Sequence, residues 1–299
     1  MRPHSGGLIY TESEYRWEGV VRIAVTGATG RLGAQVIEIL AASHDVVAVS
    51  RRPAPAVSDG TRLRAAVADY ADLASLRTAL HGVDTLVLIS SDGEAVHVLR
   101  HHQNMIQAAT DCGVGHIVAL SGLDADPASP FCYAMSYGYT EQMLHNSGCA
   151  VSIARASIFT EFFIQFLTAA RVTTEVRLPA ADGRISLVSR ADVGRCLAAL
   201  AVDAPTGRHC DLTGPESLNL AAIASLAAQR WGTPVKYVDL TPADHLVQMA
   251  LSGLESWWCY AFSTMFDSVR EQRWAGVSSE VLRLTGQPPA AFRDMLARA

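Results

Sequence analysis

The chain has 299 residues, 49% of them apolar, and a formal net charge of −5. That length holds one large domain or two small ones, and that apolar share excludes a disordered chain. The mild acidity gives no electrostatic footprint for nucleic acid or an anionic membrane, and no apolar run approaches the length of a membrane span.

Residues 1–19 are polar and charged, with His4, Glu12, Glu14, Arg16 and Glu18. They lack the apolar stretch of a secretion signal and are expected to form a flexible extension. From Val20 an apolar run leads into Thr26-Gly27-Ala28-Thr29-Gly30-Arg31-Leu32-Gly33. A helical pattern follows at once through Leu32, Val36, Ile39 and Leu40. A strand that passes through a glycine turn into a helix gathers backbone N–H groups and the positive helix end at one point, which suits a pyrophosphate. Gly27 permits the tight turn, Gly30 lets a ligand approach the backbone, and Gly33 lets the helix pack close on the strand. The same glycines would also serve a plain strand-to-helix turn. The strand before them and the helix after them are the context that favours the dinucleotide reading.

A short buried strand is expected at 46–49 and a weaker one at 63–67. Leu73, Leu76 and Leu80 mark a helix with Asp72 at its start. Residues 85–89 read as a strand buried on both faces. A helix follows at 96–109; its His101-His102 pair reads as solvated polar residues, since neighbours on a helix point to different faces and make no metal pair. A strand at 116–120 ends at Ser121-Gly122, 140–146 closes a helix, and 150–154 is a further strand. This alternation over 20–155 predicts an α/β fold, a Rossmann-type doubly wound parallel sheet with right-handed crossovers. Ligands bind such sheets at the carboxyl ends of the strands. The loop residues there are 27–32, Arg51-Arg52, Asp69-Tyr70, Ser90-Ser91 and Ser121-Gly122, and one crevice should collect them.

Beyond Arg155 the alternation loosens. Helices are expected at 161–170, 191–201, 220–231, 242–251 and 289–297, and short strands at 185–188, 209–212 and 235–239. The chain therefore divides into a dinucleotide-binding domain at 20–155 and a smaller substrate-binding lobe at 156–299, parts of 185–214 returning to the sheet. The six cysteines show no C-x-x-C spacing and read as free thiols in a reducing cytoplasm. No metal site is expected.

The strand end that should hold the ribose reads Ala48-Val49-Ser50-Arg51-Arg52-Pro53. A carboxylate here would hold a 2′-hydroxyl; two arginines suit a 2′-phosphate, with Arg31 as a third positive charge. The pattern points to NADP(H) over NAD(H), against the plainer reading of two solvated surface charges.

The motifs TGATGRLG, SRRP, Ala68-Asp69-Tyr70, Leu88-Ile89-Ser90-Ser91, Glu141-x-Met143-Leu144 and Ser189-Arg190-Ala191-Asp192 occur in this order. In them the chain resembles the NmrA-like branch of the atypical short-chain dehydrogenases. It is most similar there to NADPH-dependent quinone oxidoreductases and triphenylmethane dye reductases. The resemblance covers about 20–214 well and the remainder loosely. It implies NADPH contacts at 27–32, at Arg51, at Ser90, Ser91 and Asp92, at Ser157, Ile158, Phe159 and on to Phe162, and at Arg190. It also implies that Asp69 and Tyr70 lie near the adenine. Members often carry Glu-Asn where this chain has Glu161-Phe162, and a phenylalanine offers no amide hydrogen bonds.

Ordinary short-chain dehydrogenases use a Tyr-x-x-x-Lys pair. The counterpart here is Tyr137-x-x-x-Glu141, and Lys236 is the sole lysine of the chain. A carboxylate in the lysine place opposes a tyrosinate. Hydride transfer to a quinone needs less help, because aromatisation drives it and the protein mainly holds the two rings together. Tyr137 is the candidate proton donor, with Tyr133 and Tyr139 as rivals. The expected pocket walls are the loop 123–133 with Leu123 and Tyr133, the segment 157–166 with Phe162, and an aromatic stretch with Trp257, Trp258 and Phe262. Such a stripe would equally serve as plain core. The leading reading is an NADPH-dependent oxidoreductase for quinones or similar flat acceptors, acting on a small aromatic partner as a monomer or homodimer. Two alternatives stand: a reductase or cyclase that tailors an aromatic natural product, and a redox-sensing regulator that binds NADP(H) without turnover.

Overall fold

The structure is a computed structural model, and it describes residues 20–52, 62–91 and 93–298. The expected extension at 1–19, Pro53 and Asp92 lie outside the described residues. In chain order the first half comprises β1 (Arg22–Val25), α1 (Arg31–Ala41), β2 (Asp45–Ser50), β3 (Leu63–Val67), α2 (Leu73–Leu80), β4 (Thr85–Leu88), α3 (Ala95–Asp111), β5 (His116–Gly122), α4 (Cys132–His145) and β6 (Ala150–Ala156). The second half comprises α5 (Thr160–Thr168), α6 (Ala170–Thr173), β7 (Glu175–Leu178), β8 (Arg184–Ile185), α7 (Arg190–Val202), β9 (His209–Leu212), β10 (Leu218–Asn219), α8 (Leu220–Trp231), β11 (Lys236–Asp239), α9 (Pro242–Leu251), α10 (Ser256–Arg270), α11 (Glu280–Thr285) and α12 (Phe292–Arg298).

Seven strands form one parallel sheet in the order β3-β2-β1-β4-β5-β6-β9. The order reverses direction between β1 and β4, which opens a crevice at their carboxyl ends. Alternation along β4 shows how both faces are filled. Val87 packs into a core with Val36, Leu40 and Leu197, while Leu86 and Leu88 pack on the opposite face with Leu76, Leu80 and Met105. All of these side chains are fully or almost fully buried, and each contributes on the order of 1.5–3 kcal/mol of hydrophobic stabilisation. The seventh strand comes from the second half: β9 pairs in register with β6.

The remaining elements build a lobe over one end of the sheet. β7 pairs with β11 in parallel, and β8 pairs with β10 antiparallel. Their core gathers Phe163, Leu167, Val176, Ile223, Phe266 and Phe292. The Ser189-Arg190-Ala191-Asp192 motif starts α7 and ties this lobe down. The Asp192 carboxylate is buried; it accepts from Ser189 Oγ at 2.7 Å, from the Ala290 amide at 2.9 Å and from Arg195 at 2.7 Å.

Several local expectations are corrected. In α1 the buried stripe is Leu32, Val36, Ile37 and Leu40, while Ile39 faces solvent. The helix expected only at 140–146 starts at Cys132, because Ser136 and Gly138 are buried against neighbours and blur the apolar stripe. Of the strand expected at 185–188 only Ile185 belongs to β8; Val188 makes a single bridge to Phe159. The stretch around Trp257 and Trp258 lies in a fifteen-residue helix, α10, that packs on the lobe core. His102 is no solvated residue: it is 1% exposed, because its two ring nitrogens find hydroxyl partners inside the protein. All six cysteines are free thiols.

Candidate active site

The glycine turn after β1 has the geometry that its residues dictate. Gly27 adopts φ +63°, and the Gly30 amide donates to the Gly27 carbonyl at 2.9 Å. A Cβ at Gly33 would sit 2.3 Å from that same carbonyl oxygen, so only glycine lets α1 approach the turn. The start of α1 has no side-chain cap and no acidic residue in its first turn. Its positive end therefore faces the crevice without a protein counter-charge. Thr26 clasps the switch point: its Oγ1 accepts from the Ile89 amide at 2.8 Å and donates to the Ile89 carbonyl at 3.1 Å.

The crevice is a cavity of about 610 Å³. At one end it is lined by Gly27, Thr29, Gly30, Arg31, Leu32 and Gly33, then by Arg51 and Arg52 after β2 and Asp69 and Tyr70 after β3. The three arginines are exposed. Tyr70 donates its hydroxyl to the Ile89 carbonyl at 2.8 Å, and its carbonyl accepts from Asn104 at 2.8 Å. Burial pushes the Tyr70 pKa up to about 12, so the phenol stays protonated. Its ring stacks on His101, centroids 5.6 Å apart, and His101 also lines the cavity. The end of β4 contributes Ser90 and Ser91.

The other end is aromatic. Tyr133, Tyr137, Phe159, Phe162 and Trp258 line it together with Leu120. Tyr133 and Tyr137 are stacked at 6.2 Å. The Tyr133 hydroxyl donates to the Gly93 carbonyl at 2.5 Å and accepts from Trp257 Nε1 at 3.4 Å. Trp258 leans on Phe262, which packs on Phe162 at 5.6 Å. Arg190 reaches the cavity with its guanidinium 5.2 Å over the Phe159 ring. Both Glu161 carboxylate oxygens accept from the Arg190 amide at 3.1 Å, which pins the start of α7 to α5.

Some expected site residues are placed elsewhere. Ser121, Ser157 and Ile158 are buried and do not line the cavity. Ser121 donates instead to Glu141 at 2.6 Å, and the Ser157 amide donates to the Leu212 carbonyl at 2.9 Å. Ala28 gives its amide to Val49 at 3.3 Å and stands behind the turn. Leu123, Trp257 and Phe262 back the aromatic wall without forming its surface. Asp92 lies outside the described residues. The sequence reading missed Thr26, Leu120, Met105 and His101 as cavity residues. The His101-His102 doublet was the available signal for the last, but its orientation depends on how α3 lies against β4.

Glu141 lies four residues after Tyr137. Its carboxylate accepts from Arg155 Nε at 2.9 Å and Nη2 at 2.6 Å, besides Ser121. Lys236 is on β11, where it pairs with Glu175 at 3.1 Å. Among the described residues, no group of three or more His, Cys, Asp or Glu side chains is arranged to hold a metal ion, and no helix is long and apolar enough to cross a membrane.

A model of NAD(P)H-binding proteins matches residues 27–204, the span from the glycine turn to the end of α7, which contains five of the seven strands of the parallel sheet. The chain belongs to the NAD(P)H-binding family. Quinone oxidoreductase 2 of Escherichia coli is 35% identical over 239 residues, covering 78% of this chain and 82% of that protein. An NmrA-like family oxidoreductase of Aspergillus flavus is 30% identical over 244 residues, 74% of this chain and 78% of its own. The NAD(P)H azoreductase of Xenophilus azovorans is 27% identical over 279 residues, 91% of this chain and 96% of its own. Among solved structures, the NADPH-dependent quinone oxidoreductase of Escherichia coli in complex with NADPH aligns with a TM-score of 0.87 and 31% identity, covering 92% of this chain and 99% of that one. The triphenylmethane reductase of Citrobacter with NADP(H) shares the fold, with a TM-score of 0.84 at 22% identity over 93% of this chain and 99% of that one. This member of the NAD(P)H-binding family is an NAD(P)H-dependent oxidoreductase with a Rossmann-type sheet, and its cofactor is a nicotinamide dinucleotide, NAD(P)H. The glycine turn, in which a Cβ at Gly33 would collide with the Gly27 carbonyl, and the uncapped start of α1 fit that cofactor.

Proposed function

We propose that this protein carries hydride from NADPH to a quinone or a similar flat aromatic acceptor, without a Tyr-Lys pair. The observation that carries the reading is the aromatic wall of Tyr133, Tyr137, Phe159, Phe162 and Trp258 in the same cavity as the glycine turn. When bound, NADPH supplies the hydride. The turn from Gly27 to Gly33 would hold its pyrophosphate, with Arg31, Arg51 and Arg52 at the 2′-phosphate and Asp69 and Tyr70 beside the adenine. Ser90, Ser91, Phe159 and Arg190 would hold the nicotinamide half. Phe162, Tyr133 and Trp258 would orient an acceptor ring by stacking and exclude water from it.

The absence of a lysine partner supports this choice of acceptor. Tyr137 is followed four residues on by Glu141, whose carboxylate is engaged by Arg155 and Ser121. Activation of an alcohol by a tyrosinate needs a cation at that place. A quinone needs only a hydride and a proton at its oxygens, and Tyr137 or water is the candidate source on the wall. Steady-state oxidation of NADPH against a panel of benzoquinones, naphthoquinones and triphenylmethane dyes, with NADH in parallel, tests the reading. Turnover with NADPH preferred is expected. Tight NADPH binding with no turnover of any acceptor in the panel would sink it.

A further inference from the structure

Two adjacent serines at the end of β4 meet two adjacent histidines of α3. Ser90 Oγ is 3.0 Å from His102 Nε2, and Ser91 Oγ is 3.0 Å from His101 Nδ1. Ser90, Ser91 and His101 line the cavity, while His102 is buried behind them. The proton positions around His102 follow from its partners. Thr140 Oγ1 lies 2.7 Å from the Ser136 carbonyl and 2.8 Å from His102 Nδ1. With the Thr140 proton on the shorter, 2.7 Å contact to the carbonyl, Oγ1 accepts Nδ1–H of His102. Burial keeps the imidazole neutral, with its pKa pushed down to about 4. Its Nε2 is then a bare lone pair. Ser90 Oγ also lies 3.3 Å from the Ser91 carbonyl, but the shorter contact to the imidazole nitrogen holds the hydroxyl proton.

We propose that Ser90 is a fixed hydrogen-bond acceptor toward the cofactor, its proton turned inward by the chain His102–Thr140–Ser136. Only lone pairs of Ser90 then face the cavity. They suit a donor of the dinucleotide, a ribose hydroxyl or a carboxamide N–H, and they repel a phosphate oxygen. His102 and Thr140 are positioning residues: neither lines the cavity, yet both decide which polarity Ser90 presents.

The inference rests on NADP(H) filling this cavity and not on the identity of the acceptor, so its test needs no turnover. NADPH affinity of the full chain would be read by cofactor fluorescence for Thr140→Val, Thr140→Ser, Ser90→Ala and the Ser90→Ala/Thr140→Val double variant. Loss of the Thr140 hydroxyl leaves Nδ1–H without a partner and releases the tautomer. Thr140→Val should raise Kd about three- to tenfold, the weight of one hydrogen bond. Thr140→Ser should restore it, and Thr140→Val should add nothing in the Ser90→Ala background. An equal effect in both backgrounds would mean a structural role only and would overturn the proposal. The 15N spectrum of the His102 ring, assigned by its loss in His102→Gln, gives a second reading without cofactor. A protonated Nδ1 with a bare Nε2 is expected, and a protonated Nε2 would overturn the proposal whatever binds in the cavity. A wild-type Kd for Ser90→Ala would instead overturn the placement of the cofactor against Ser90, and the proposal with it.

Discussion

Replacing Glu141 by lysine would write the familiar Tyr-x-x-x-Lys spacing into this chain, and it should fail to create that chemistry. Glu141 is 7% exposed and the Arg155 side chain 22% exposed. The pair makes two charge-assisted hydrogen bonds, at 2.9 and 2.6 Å, and a third comes from Ser121 at 2.6 Å. These bonds tie α4 to β5 and β6. Removing one partner of a buried pair costs about 3–5 kcal/mol, most of it from the charge left behind. Because Arg155 keeps some access to water, Glu141→Gln should fall below that range, at about 2 kcal/mol, consistent with the loss of charge-assisted hydrogen bonds. Glu141→Lys adds a second cation beside Arg155, so it belongs at about 3–5 kcal/mol. For a chain of this size, with an unfolding entropy of about 0.6 kcal/mol/K, that corresponds to a fall in Tm of roughly 3 °C for the glutamine and roughly 5–8 °C for the lysine. Thermal unfolding followed by circular dichroism measures both. An Arg155→Met/Glu141→Gln double variant should lose less than the sum of the single losses, because the pair is one unit. If Glu141→Lys kept the wild-type Tm and gained NADPH-dependent reduction of simple ketones, Glu141 would be a replaced catalytic group and the structural reasoning would be wrong.

Arg51→Glu should reduce kcat/KM with NADPH relative to NADH by about 1–3 kcal/mol, or roughly 5- to 150-fold, since it turns a charge-assisted pair into a repulsion; an unchanged NADPH/NADH ratio in parallel assays would make Arg51 a plain surface charge. Trp258→Ala should raise KM for a naphthoquinone several-fold while KM for NADPH stays within about twofold, because in the proposed function the removed ring stacks on the acceptor and not on the dinucleotide. Equal changes in both constants would place Trp258 in the general packing of the lobe. Stability should rise with pH between about 4 and 6.5. His102 and His116 are buried, and burial pushes both pKa values down to about 4. The unfolded chain, with ordinary histidines, therefore binds more protons in that window. The stabilisation is fully present above the unfolded pKa and is lost as pH falls toward the folded one, at about 1–1.5 kcal/mol per histidine at pH 5.5. Unfolding by urea at pH 7.5 and pH 5.5 measures it, and a His116→Leu variant should show a shallower dependence; equal slopes would show that other groups carry it.

How far the chain could be read from its residues depends on the range of the forces involved. The glycine turn, the two arginines after β2 and the alternation over 20–155 are local signals. Gly27 needs a positive φ, Gly33 a missing Cβ, and the buried strands a continuous apolar run. Short-range sterics and burial set these, so the sequence by itself determined the Rossmann-type half and the cofactor end of the crevice. Other features depend on contacts between distant segments. Ser121 and Ser157 look like site residues from their place at strand ends, yet Glu141 and the β9 backbone take up their polar groups. His101 and His102 look solvated until β4 and α4 bring Ser90, Ser91 and Thr140 against them. In the aromatic lobe, Trp258 faces the cavity while Trp257 and Phe262 support it, a choice fixed by the rotation of α10 on its neighbours. Only the tertiary structure decided these, because the free energy of burying a polar group turns on the partner it finds, and that partner lies 10 to 124 residues away.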